Sequence, residues 1–419
     1  MSDAFYFNGG ELYAEGVPLR RIADQWNTPS WVYSRAAIET AWDAFDTAFE
    51  GQPHLVCYAV KANSNLGVLS ILAHKGAGFD IVSGGELARV IAAGGDPAKV
   101  VYSGVAKRAD EIEMALRAGI ACFNVESAFE LDLIDDVAAR LEKVAPVALR
   151  INPDVDPGTH PYIATGLSSS KFGVPMADAP ALYERAAGSK YLKVTGIDCH
   201  IGSQITSVAP FADALTIMLE LVDDLTERGI AVDHIDLGGG AGIRYNDETP
   251  LDLIEYASVV REVIGPRGLE LRFEPGRSIV ANAGVLLTRV MGTKMNGSKR
   301  FAVVDAAMND LLRPALYGGW HRITNVVETT TPTATYDVVG PVCETGDFLA
   351  QDRELALLPS DLLAVESVGA YGAVMSSNYN TRGRGAELIV DGDTVHCVRE
   401  RELPADLFRL EHTLPIGFE

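Results

Sequence analysis

Lys61 directly follows an apolar run, Leu55-Val-Cys-Tyr-Ala-Val60, and precedes Ala62-Asn63. A run this rich in Val, Leu and aromatic residues, without alternation, predicts a strand buried on both faces, as in a parallel sheet covered by helices. Lys61 then stands at the C-terminal end of the strand, where an α/β barrel carries its chemistry. An amine partly withdrawn from water there can act as a nucleophile toward carbonyl groups. The alternative is a solvated lysine in an ordinary turn between a strand and a helix.

A glycine-rich segment, Asp236-Leu-Gly-Gly-Gly-Ala-Gly-Ile243, follows the seventh predicted strand. Glycines let backbone N–H groups approach the oxygens of a phosphate closely, so a phosphate can be bound without local cations. Barrels often bind phosphate at this position. A tight turn that binds no ligand is the alternative.

Glu274-Pro-Gly-Arg277 ends the eighth predicted strand and places a carboxylate, a backbone bend and a guanidinium within four residues. A carboxylate can keep a pyridine nitrogen protonated and so make the ring an electron sink, and a guanidinium suits a phosphate or a carboxylate. A structural ion pair between Glu274 and Arg277 is the alternative.

His200 lies in Cys199-His-Ile-Gly-Ser-Gln204 at the end of the sixth predicted strand. An isolated histidine is usually a hydrogen-bonded core residue. At a strand end, beside Ser203 and Gln204, stacking on a flat cofactor is the better interpretation.

The elements that must hold these residues alternate along the chain. Amphipathic, helix-like stretches, such as 85–93, 109–118, 128–143 and 210–228, separate the apolar runs. Eight strand-then-helix units predict a (β/α)8 barrel, in which functional groups follow each strand. The eight runs are 54–60, 78–82, 100–103, 121–125, 147–152, 195–201, 234–237 and 270–274, and they are followed by Lys61, Asp80 to Ser83, Ser103-Gly104, Glu126, Asn152, His200 to Gln204, Gly238 to Gly240, and Glu274 to Arg277.

The pattern changes after Arg277 to short β-branched runs with turn signals, which predict an all-β domain. A hairpin-like segment, residues 5–13, adds N-terminal strands to that domain and leaves the barrel as an insertion. We therefore expect an α/β fold with a barrel at 34–280, and a C-terminal, barrel-like or sandwich-like β-domain formed by residues 1–33 and 281–419. The β-runs are 300–305, 335–340, 361–366 and 386–393.

Composition narrows the function further. The formal net charge of −22 argues against nucleic acid or an anionic membrane as a partner. The start of the chain lacks a basic and apolar leader, which favours a soluble cytoplasmic protein. The five cysteines form no C-x-x-C pair and the eight histidines show no ligand spacing, so we expect neither a disulfide framework nor a metal site.

An amine that captures an aldehyde, a phosphate cradle, an acidic partner for a ring nitrogen and a flat stacking residue together fit pyridoxal 5′-phosphate. The chain resembles the group IV, alanine racemase-like barrel-fold decarboxylases that use this cofactor, and most closely the branch that acts on diaminopimelate. The resemblance covers about residues 29–393. Its motifs are Tyr58-Ala-Val-Lys-Ala-Asn63, His200-Ile-Gly-Ser-Gln204, Asp236-Leu-Gly-Gly-Gly240, Glu274-Pro-Gly-Arg277, Arg313-Pro-Ala-Leu-Tyr317, Cys343-Glu-Thr-Gly-Asp347 and Gly369-Ala-Tyr-Gly372.

The resemblance implies two catalytic residues. Lys61 would carry the cofactor as a Schiff base, and Cys343 would be the proton donor, acting in the neighbouring subunit of a homodimer. The cofactor would contact Lys61, His200, Ser203, Gly238, Gly239, Gly240, Glu274, Gly276, Arg277 and Tyr371. The substrate would contact Arg277, Arg313, Tyr317, Glu344 and Tyr371.

The implied reaction is the decarboxylation of meso-2,6-diaminopimelate to L-lysine and carbon dioxide, the last step of lysine biosynthesis. Two arginines and Glu344 suit a diamino diacid, because each end of it must be recognised. Segment 152–167, followed by 170–173, resembles the substrate-selecting region of this branch. The alternatives are an ornithine, lysine or arginine decarboxylase of the same fold and a non-catalytic protein that binds the cofactor.

The sequence departs from the family pattern at three positions. Trp31 and Ser34 stand where a tyrosine and an aspartate are more frequent, and Gly383 stands where proline is more usual. None of them belongs to the expected chemistry.

Overall fold

A computed structural model describes residues 2–156 and 170–414. The chain divides into two compact units. Met1–Ala37 with Asn282–Glu419 form one unit, here called the β unit, and Ile38–Ala281 form the other, here called the barrel unit. Among the described residues, no helix has the length and apolar character that crossing a membrane requires.

The N-terminal elements come first along the chain. They are β1 (Phe5–Asn8), β2 (Glu11–Ala14), β3 (Val17–Pro18), α1 (Leu19–Trp26), β4 (Ser30–Ser34) and α2 (Arg35–Ala48).

Strands and helices then alternate through the barrel unit. They are β5 (His54–Ala59), α3 (Leu66–His74), β6 (Gly78–Ile81), α4 (Gly84–Ala92), β7 (Val100–Tyr102), α5 (Ala109–Ala118), β8 (Cys122–Val125), α6 (Ala128–Leu141), β9 (Ala145–Asn152), β10 (Val174–Pro175), α7 (Ala179–Gly188), β11 (Leu192–Asp198), α8 (Ala209–Glu227), β12 (His234–Asp236), α9 (Leu253–Ile264), β13 (Glu270–Phe273) and α10 (Arg277–Val280).

The remaining elements are mostly strands. They are β14 (Gly284–Asn296), β15 (Lys299–Val304), α11 (Arg313–Tyr317), β16 (Ile323–Asn325), β17 (Ala334–Val339), β18 (Phe348–Leu355), β19 (Leu362–Val365), β20 (Ala386–Asp391), β21 (Thr394–Arg399) and α12 (Pro404–Leu407).

Eight parallel strands close into the predicted barrel. Their order is β9-β11-β12-β13-β5-β6-β7-β8, and β8 pairs with β9 to close the ring. Each of the eight predicted apolar runs coincides with one of these strands, so this prediction is confirmed. The runs are recognisable because strands such as β6, β7 and β8 are buried along their whole length.

Several barrel helices begin immediately after a strand-end loop because a polar side chain caps them. Ser83 accepts a hydrogen bond from the Glu86 amide at the start of α4, and Ser127 accepts one from the Glu130 amide at the start of α6. Asp252 caps α9 in the same way. Such caps fix the length of each loop, and with it the position of the residues at the strand ends.

The β unit contains two sheets. The hairpin predicted from residues 5–13 is present, with Phe5 opposite Ala14, but β1, β2 and β3 form a three-stranded sheet of their own. The N-terminal strand β4 joins the large nine-stranded sheet, antiparallel to β14 and parallel to β20. The N-terminal strand β4 and the C-terminal strands thus belong to one sheet, as expected.

Strand β14 is the longest strand that the sequence did not predict. It pairs with β15, β19 and β4. Its first half is buried and its last residues are exposed, so neither uniform burial nor strict alternation marks it in the sequence. Strands β18 and β21 were also not predicted.

Gly196 of β11 lies where the barrel wall leaves no room for a side chain. A Cβ atom there would stand 2.3 Å from Nε2 of His234 on the adjacent strand. We expect Gly196→Ala to destabilise the barrel unit by about 1–3 kcal/mol, because the strand pair must shift. Gly188→Ala is the matched control, since no atom lies within 4 Å of a Cβ at the end of α7. Urea unfolding of both variants provides the measurement, and equal midpoints would contradict the prediction.

Candidate active site

Lys61 lies in a single 3-10 turn, Val60–Ala62, that directly continues β5. Its amine donates a hydrogen bond to Oδ2 of Asp80 on β6 and forms an ion pair with it. The Lys61 side chain is 34% exposed, whereas that of Asp80 is fully buried. The buried carboxylate therefore holds the amine at the strand end, while about a third of the lysine side chain stays exposed.

A cavity of about 410 Å³ opens beside Lys61 at the C-terminal ends of the barrel strands. This size suits a small molecule. The cavity brings together three of the predicted site residues, Lys61, His200 and Glu274. Its other lining residues are Val82, Ser103, Gly104, Val105, Ala106, Arg150 and Phe172.

The glycine turn after β12 fixes the orientation of the His200 ring by a hydrogen bond. The amide of Gly239 donates to Nδ1 of His200 at 3.0 Å, and the amide of Gly238 donates to Asp236 at 2.9 Å. Because an amide can only donate, Nδ1 is an acceptor and the imidazole is neutral. Burial lowers the pKa of His200 well below its usual value, and the positive charges of Arg150 and Lys61 lower it further. His200 thus supplies a flat, uncharged ring to the cavity.

Side chains do not fit at the three turn glycines, residues 238–240. Cβ atoms at these positions would lie 2.5, 2.3 and 2.6 Å from the backbone oxygens of Cys199, Glu274 and Gly202. Gly238 and Gly240 also have φ angles of +65° and +111°, which favour glycine. The turn therefore packs its backbone directly against the neighbouring strand ends.

Glu274 directly follows β13 and is 4% exposed. Its Oε1 accepts hydrogen bonds from the Ser103 hydroxyl and the Asn124 amide, each at 3.3 Å. Burial raises the pKa of Glu274 well above its usual value, and the nearby carboxylates of Asp80 and Asp236 raise it further. The carboxyl group is thus oriented by neutral donors, and it favours a bound proton.

Asp198, Asp236 and Glu274 form a cluster whose carboxylate oxygens all lie within 4.8 Å of one another. Burial and the charge of Asp236 raise the pKa of Asp198. Burial raises the pKa of Asp236 to about 6, despite the hydrogen bond from the Gly238 amide. In all three groups, burial disfavours the ionised carboxylate.

Arg150 of β9 also lines the cavity, and sequence reasoning did not identify it. It donates to Oε1 of Glu126 at 2.9 Å, and its guanidinium lies 4.7 Å from the ring centroid of Phe172. The amides of Gly104 and Gly173 donate to the same Glu126 carboxylate at 3.0 and 2.9 Å. Glu126 therefore ties two cavity-lining loops to β9.

Arg277 begins α10 and is buried. It donates to the Tyr245 hydroxyl at 2.6 Å and to the Ser203 hydroxyl at 3.0 Å. It does not form an ion pair with Glu274, the alternative that its motif left open. At Gly276, a Cβ atom would stand 2.9 Å from the Cβ atom of Ala62, so the turn after β13 packs closely against the turn that contains Lys61.

In the β unit, Arg313 begins α11 and is 8% exposed. It donates to Nε2 of the fully buried His321, whose Nδ1 lies 2.9 Å from the Glu366 carbonyl oxygen. A carbonyl only accepts, so His321 carries its proton on Nδ1 and accepts from Arg313. Tyr317 is the last residue of α11.

Cys343 and Glu344 are exposed in a loop that Asp347 closes. The Asp347 carboxylate accepts hydrogen bonds from the amides of Val342 and Met308, both at 2.7 Å. The last residue of the Cys343-to-Asp347 motif is therefore structural. Tyr371 lies in a separate turn and has a φ of 56°.

The predicted site residues are distributed over both units. Those up to Arg277 belong to the barrel unit, and Arg313, Tyr317, Cys343, Glu344 and Tyr371 belong to the β unit. The predicted substrate-selecting segment, 152–167, lies mostly outside the described residues.

The sequence identified the main site residues, such as Lys61 and Glu274, but not the residues that hydrogen-bond or ion-pair with them. Asp80, Ser103 and Glu126 carried a signal, because each stands at a predicted strand end. Asn124 and Arg150 lie within strands, in otherwise apolar runs, where a polar residue could have signalled a barrel-interior contact. His321 lies outside every motif and carried no such signal.

Comparison with known proteins places this geometry in context. A family model described as the pyridoxal binding domain of pyridoxal-dependent decarboxylases matches residues 35–281. The diaminopimelate decarboxylase of Pseudomonas aeruginosa is 59% identical over 413 residues, covering 99% of this chain and 100% of the relative.

Solved structures agree. The crystal structure of diaminopimelate decarboxylase from Helicobacter pylori complexed with L-lysine has a TM-score of 0.91 and 42% identity, covering 94% of this chain and 99% of that one. The enzyme from M. jannaschii in co-complex with L-lysine has a TM-score of 0.94 and 36% identity, covering 99% and 98%.

The buried acid cluster generates a prediction for ligand-free protein. Because the folded-state pKa of Glu274 is raised, the folded state binds this proton more tightly than the unfolded chain. Its contribution to stability is therefore lost as pH rises above the usual glutamate value of 4.5. Glu274→Gln removes this dependence and keeps an oxygen for Ser103 and Asn124.

We expect the ligand-free Glu274→Gln variant to melt about 2–4 °C above wild type at pH 8, with a smaller difference at pH 5. Thermal unfolding at the two pH values measures this. A difference that does not depend on pH would show that burial does not disfavour the Glu274 carboxylate.

Proposed function

We propose that this chain, which belongs to the pyridoxal-dependent decarboxylase family, decarboxylates meso-2,6-diaminopimelate to L-lysine and carbon dioxide, the last step of lysine biosynthesis. The observation that carries this function is the 59% identity to a diaminopimelate decarboxylase over 99% of the chain. Near-complete coverage matters because the barrel unit and the β unit both match.

The barrel residues fit pyridoxal 5′-phosphate. The cavity is lined by Lys61, by the flat ring of His200 and by the buried carboxyl group of Glu274. Beside it lies a glycine turn that no Cβ could enter. In this proposal, Lys61 would bind the aldehyde covalently, Glu274 would serve the ring nitrogen and His200 would stack on the ring. Ser203, residues 238–240, Gly276 and Tyr371 would hold the phosphate, and Arg277 would also contact the cofactor.

The chemistry that the bound cofactor supplies is an acceptor for the electron pair left on Cα when the carboxylate departs. With the cofactor bound, the ionised carboxylate of Glu274 would stabilise a positive charge on the ring nitrogen, and that charge would in turn offset the burial and the nearby carboxylates that raise the pKa of Glu274 in the ligand-free protein. Ser103 and Asn124 keep the Glu274 carboxyl group oriented. The aromatic face of His200 keeps water from one face of the site.

Cys343 supplies the proton that replaces carbon dioxide at Cα. In this proposal, Arg313 recognises the distal carboxylate of the substrate and Glu344 its ammonium group. Arg277, Tyr317 and Tyr371 are the other proposed substrate contacts. His321 supports this role of Arg313 because its hydrogen bond, of 2.9 Å, holds the guanidinium. Ornithine and lysine lack the second carboxylate, which argues against the rival decarboxylases.

The proposal is tested by measuring carbon dioxide release and lysine formation. We expect the purified protein to convert meso-diaminopimelate at least about a hundredfold more efficiently than ornithine, lysine or arginine, a discrimination of roughly 3 kcal/mol. Faster release from ornithine would overturn the substrate assignment.

Lys61 provides the control for that assay. Reduction of the purified protein with borohydride should fix the cofactor on Lys61, as peptide mapping would show, and Lys61→Ala should abolish turnover. A pyridoxyl group on another lysine would remove Lys61 from its proposed role.

We further propose that the functional unit is a homodimer in which Cys343 serves the site of the neighbouring subunit. Support comes from the placement of Lys61 and Cys343 in different units of one chain. Inactive Lys61→Ala and Cys343→Ala chains, refolded together, should regain about a quarter of native activity, because about half of random dimers are mixed and each has one intact site. Mixed dimers without activity would place both residues in one chain's site.

A further inference from the structure

A residue outside the expected site contacts the proposed proton donor. Oδ1 of Asn380 accepts a hydrogen bond from the Cys343 amide at 3.1 Å and from the Cys343 thiol at 3.3 Å. The same oxygen therefore fixes both the backbone of the Cys343 loop and the direction of its sulfur. Without such an acceptor, an exposed cysteine is free to sample three staggered rotamers.

Tyr379, the residue before Asn380, contacts Glu344, the residue after Cys343. The hydroxyl of Tyr379 donates to Oε1 of Glu344. This hydrogen bond, together with the charge of Glu344, raises the pKa of Tyr379. Two consecutive residues of one turn thus hold the two consecutive residues proposed to donate the proton and to bind the ammonium group.

The turn adopts a conformation that suits this task. Asn380 and the following Thr381 both have φ angles of 56°, in the left-handed region. Asparagine tolerates that region better than most residues, whereas β-branched threonine does not. Such strain persists only where the surroundings impose it, and it clusters at functional sites.

Hydrogen bonds on both sides impose the conformation. Asn378 donates to the Arg382 carbonyl at 3.0 Å and to the Glu402 carboxylate at 2.7 Å, and so closes the turn. Arg382 donates to Asn309 at 3.0 Å. Arg384 also pairs with Glu402 at 3.1 Å. The turn is therefore a rigid support and not a loose loop.

We propose that Asn380 and Tyr379 are positioning residues of the decarboxylation: Asn380 fixes the sulfur of Cys343, whose S–H bond rotates from the Asn380 oxygen toward Cα when the proton is donated, and Tyr379 orients the Glu344 carboxylate toward the substrate ammonium. This inference rests on the proposed function. It assigns no chemistry to the two residues themselves, since the proton comes from sulfur and the ammonium group is bound by Glu344. Proton transfer depends steeply on donor geometry, so loss of the support should slow turnover.

Two substitutions at position 380 separate the side chain from the backbone. Asn380→Gly favours the left-handed conformation but removes the acceptor, whereas Asn380→Asp keeps an acceptor oxygen. We expect kcat of the glycine variant to fall about tenfold or more with KM within about twofold, and that of the aspartate variant to stay within about threefold of wild type. Tyr379→Phe should instead raise KM about threefold or more, with a smaller change in kcat.

Alkylation of the purified protein gives a readout that does not depend on turnover. Cys343 and Cys397 are both exposed in the single chain, and in the proposed dimer Cys343 faces an active site that a small reagent such as iodoacetamide can enter. Mass spectrometry of peptides reports the relative rates at which the two thiols are modified. Cys397 serves as the control within each molecule, since it contacts the Arg399 carbonyl instead. We expect Asn380→Gly to raise the ratio of Cys343 to Cys397 modification about threefold or more, because the sulfur is released from its hydrogen-bonded position.

A double-variant cycle distinguishes this inference from the proposed function. If Asn380 acts through Cys343, then Asn380→Gly costs no more than about twofold in kcat when Cys343 is already alanine. Losses that multiply in the double variant, or an Asn380→Gly protein with native kcat and native alkylation ratio, would overturn the inference and leave the proposed function intact. If Cys343→Ala retains native kcat, the donor assignment and this inference both fail. Failure to decarboxylate diaminopimelate at all would refute the proposed function itself.

Discussion

The pairing of β8 with β9 is the constraint on which the candidate site depends, because it closes the parallel sheet into a ring. Closure brings the carboxyl ends of all eight strands to one rim, so residues that are far apart in sequence line one cavity. Lys61 and Glu274 are separated by more than half of the chain, yet they face the same space. The Gly276 turn, packed tightly on the Lys61 turn, shows how closely the first and last strands meet at this rim.

The same closure concentrates negative charge. Asp80, Asp198, Asp236 and Glu274 converge beneath the cavity, and burial makes ionisation of the last three unfavourable. Positive charges within the barrel offset part of this cost: those of Arg150 at Asp198, of Arg272 at Asp236 and of Lys61 at Glu274. A cationic ring nitrogen beside Glu274 would offset more of it. On the proposed assignment of Glu274 to the ring nitrogen, cofactor binding and the stability of the barrel unit would be linked through the same carboxylates.

The β unit follows a different principle, since its proposed functional residues lie on the short helix α11 and on turns held by hydrogen bonds, and not on strand ends. Asp347 closes the loop of Cys343 by accepting a hydrogen bond from the Val342 amide, and Asn380 of the following turn accepts one from the Cys343 thiol. His321 similarly fixes Arg313 by accepting a hydrogen bond from its guanidinium. Irregular backbone can present side chains with accuracy when polar groups on both flanks leave it few alternatives.

The sequence alone determined the barrel, because strands such as β6, β7 and β8 are buried along their whole length and therefore appear as apolar runs. It also determined which residues stand at the strand ends. It also determined the family, through motifs such as Tyr58–Asn63 and Glu274–Arg277. It could not reveal β14, whose buried and exposed halves pair with three different strands. Nor could it reveal that Lys61 pairs with Asp80, that Glu126 joins Arg150, or that Asn380 holds Cys343. These partners are distant in sequence, and their identity depends on which strand or turn lies beside which, a matter of strand register and loop packing that only the tertiary structure decides.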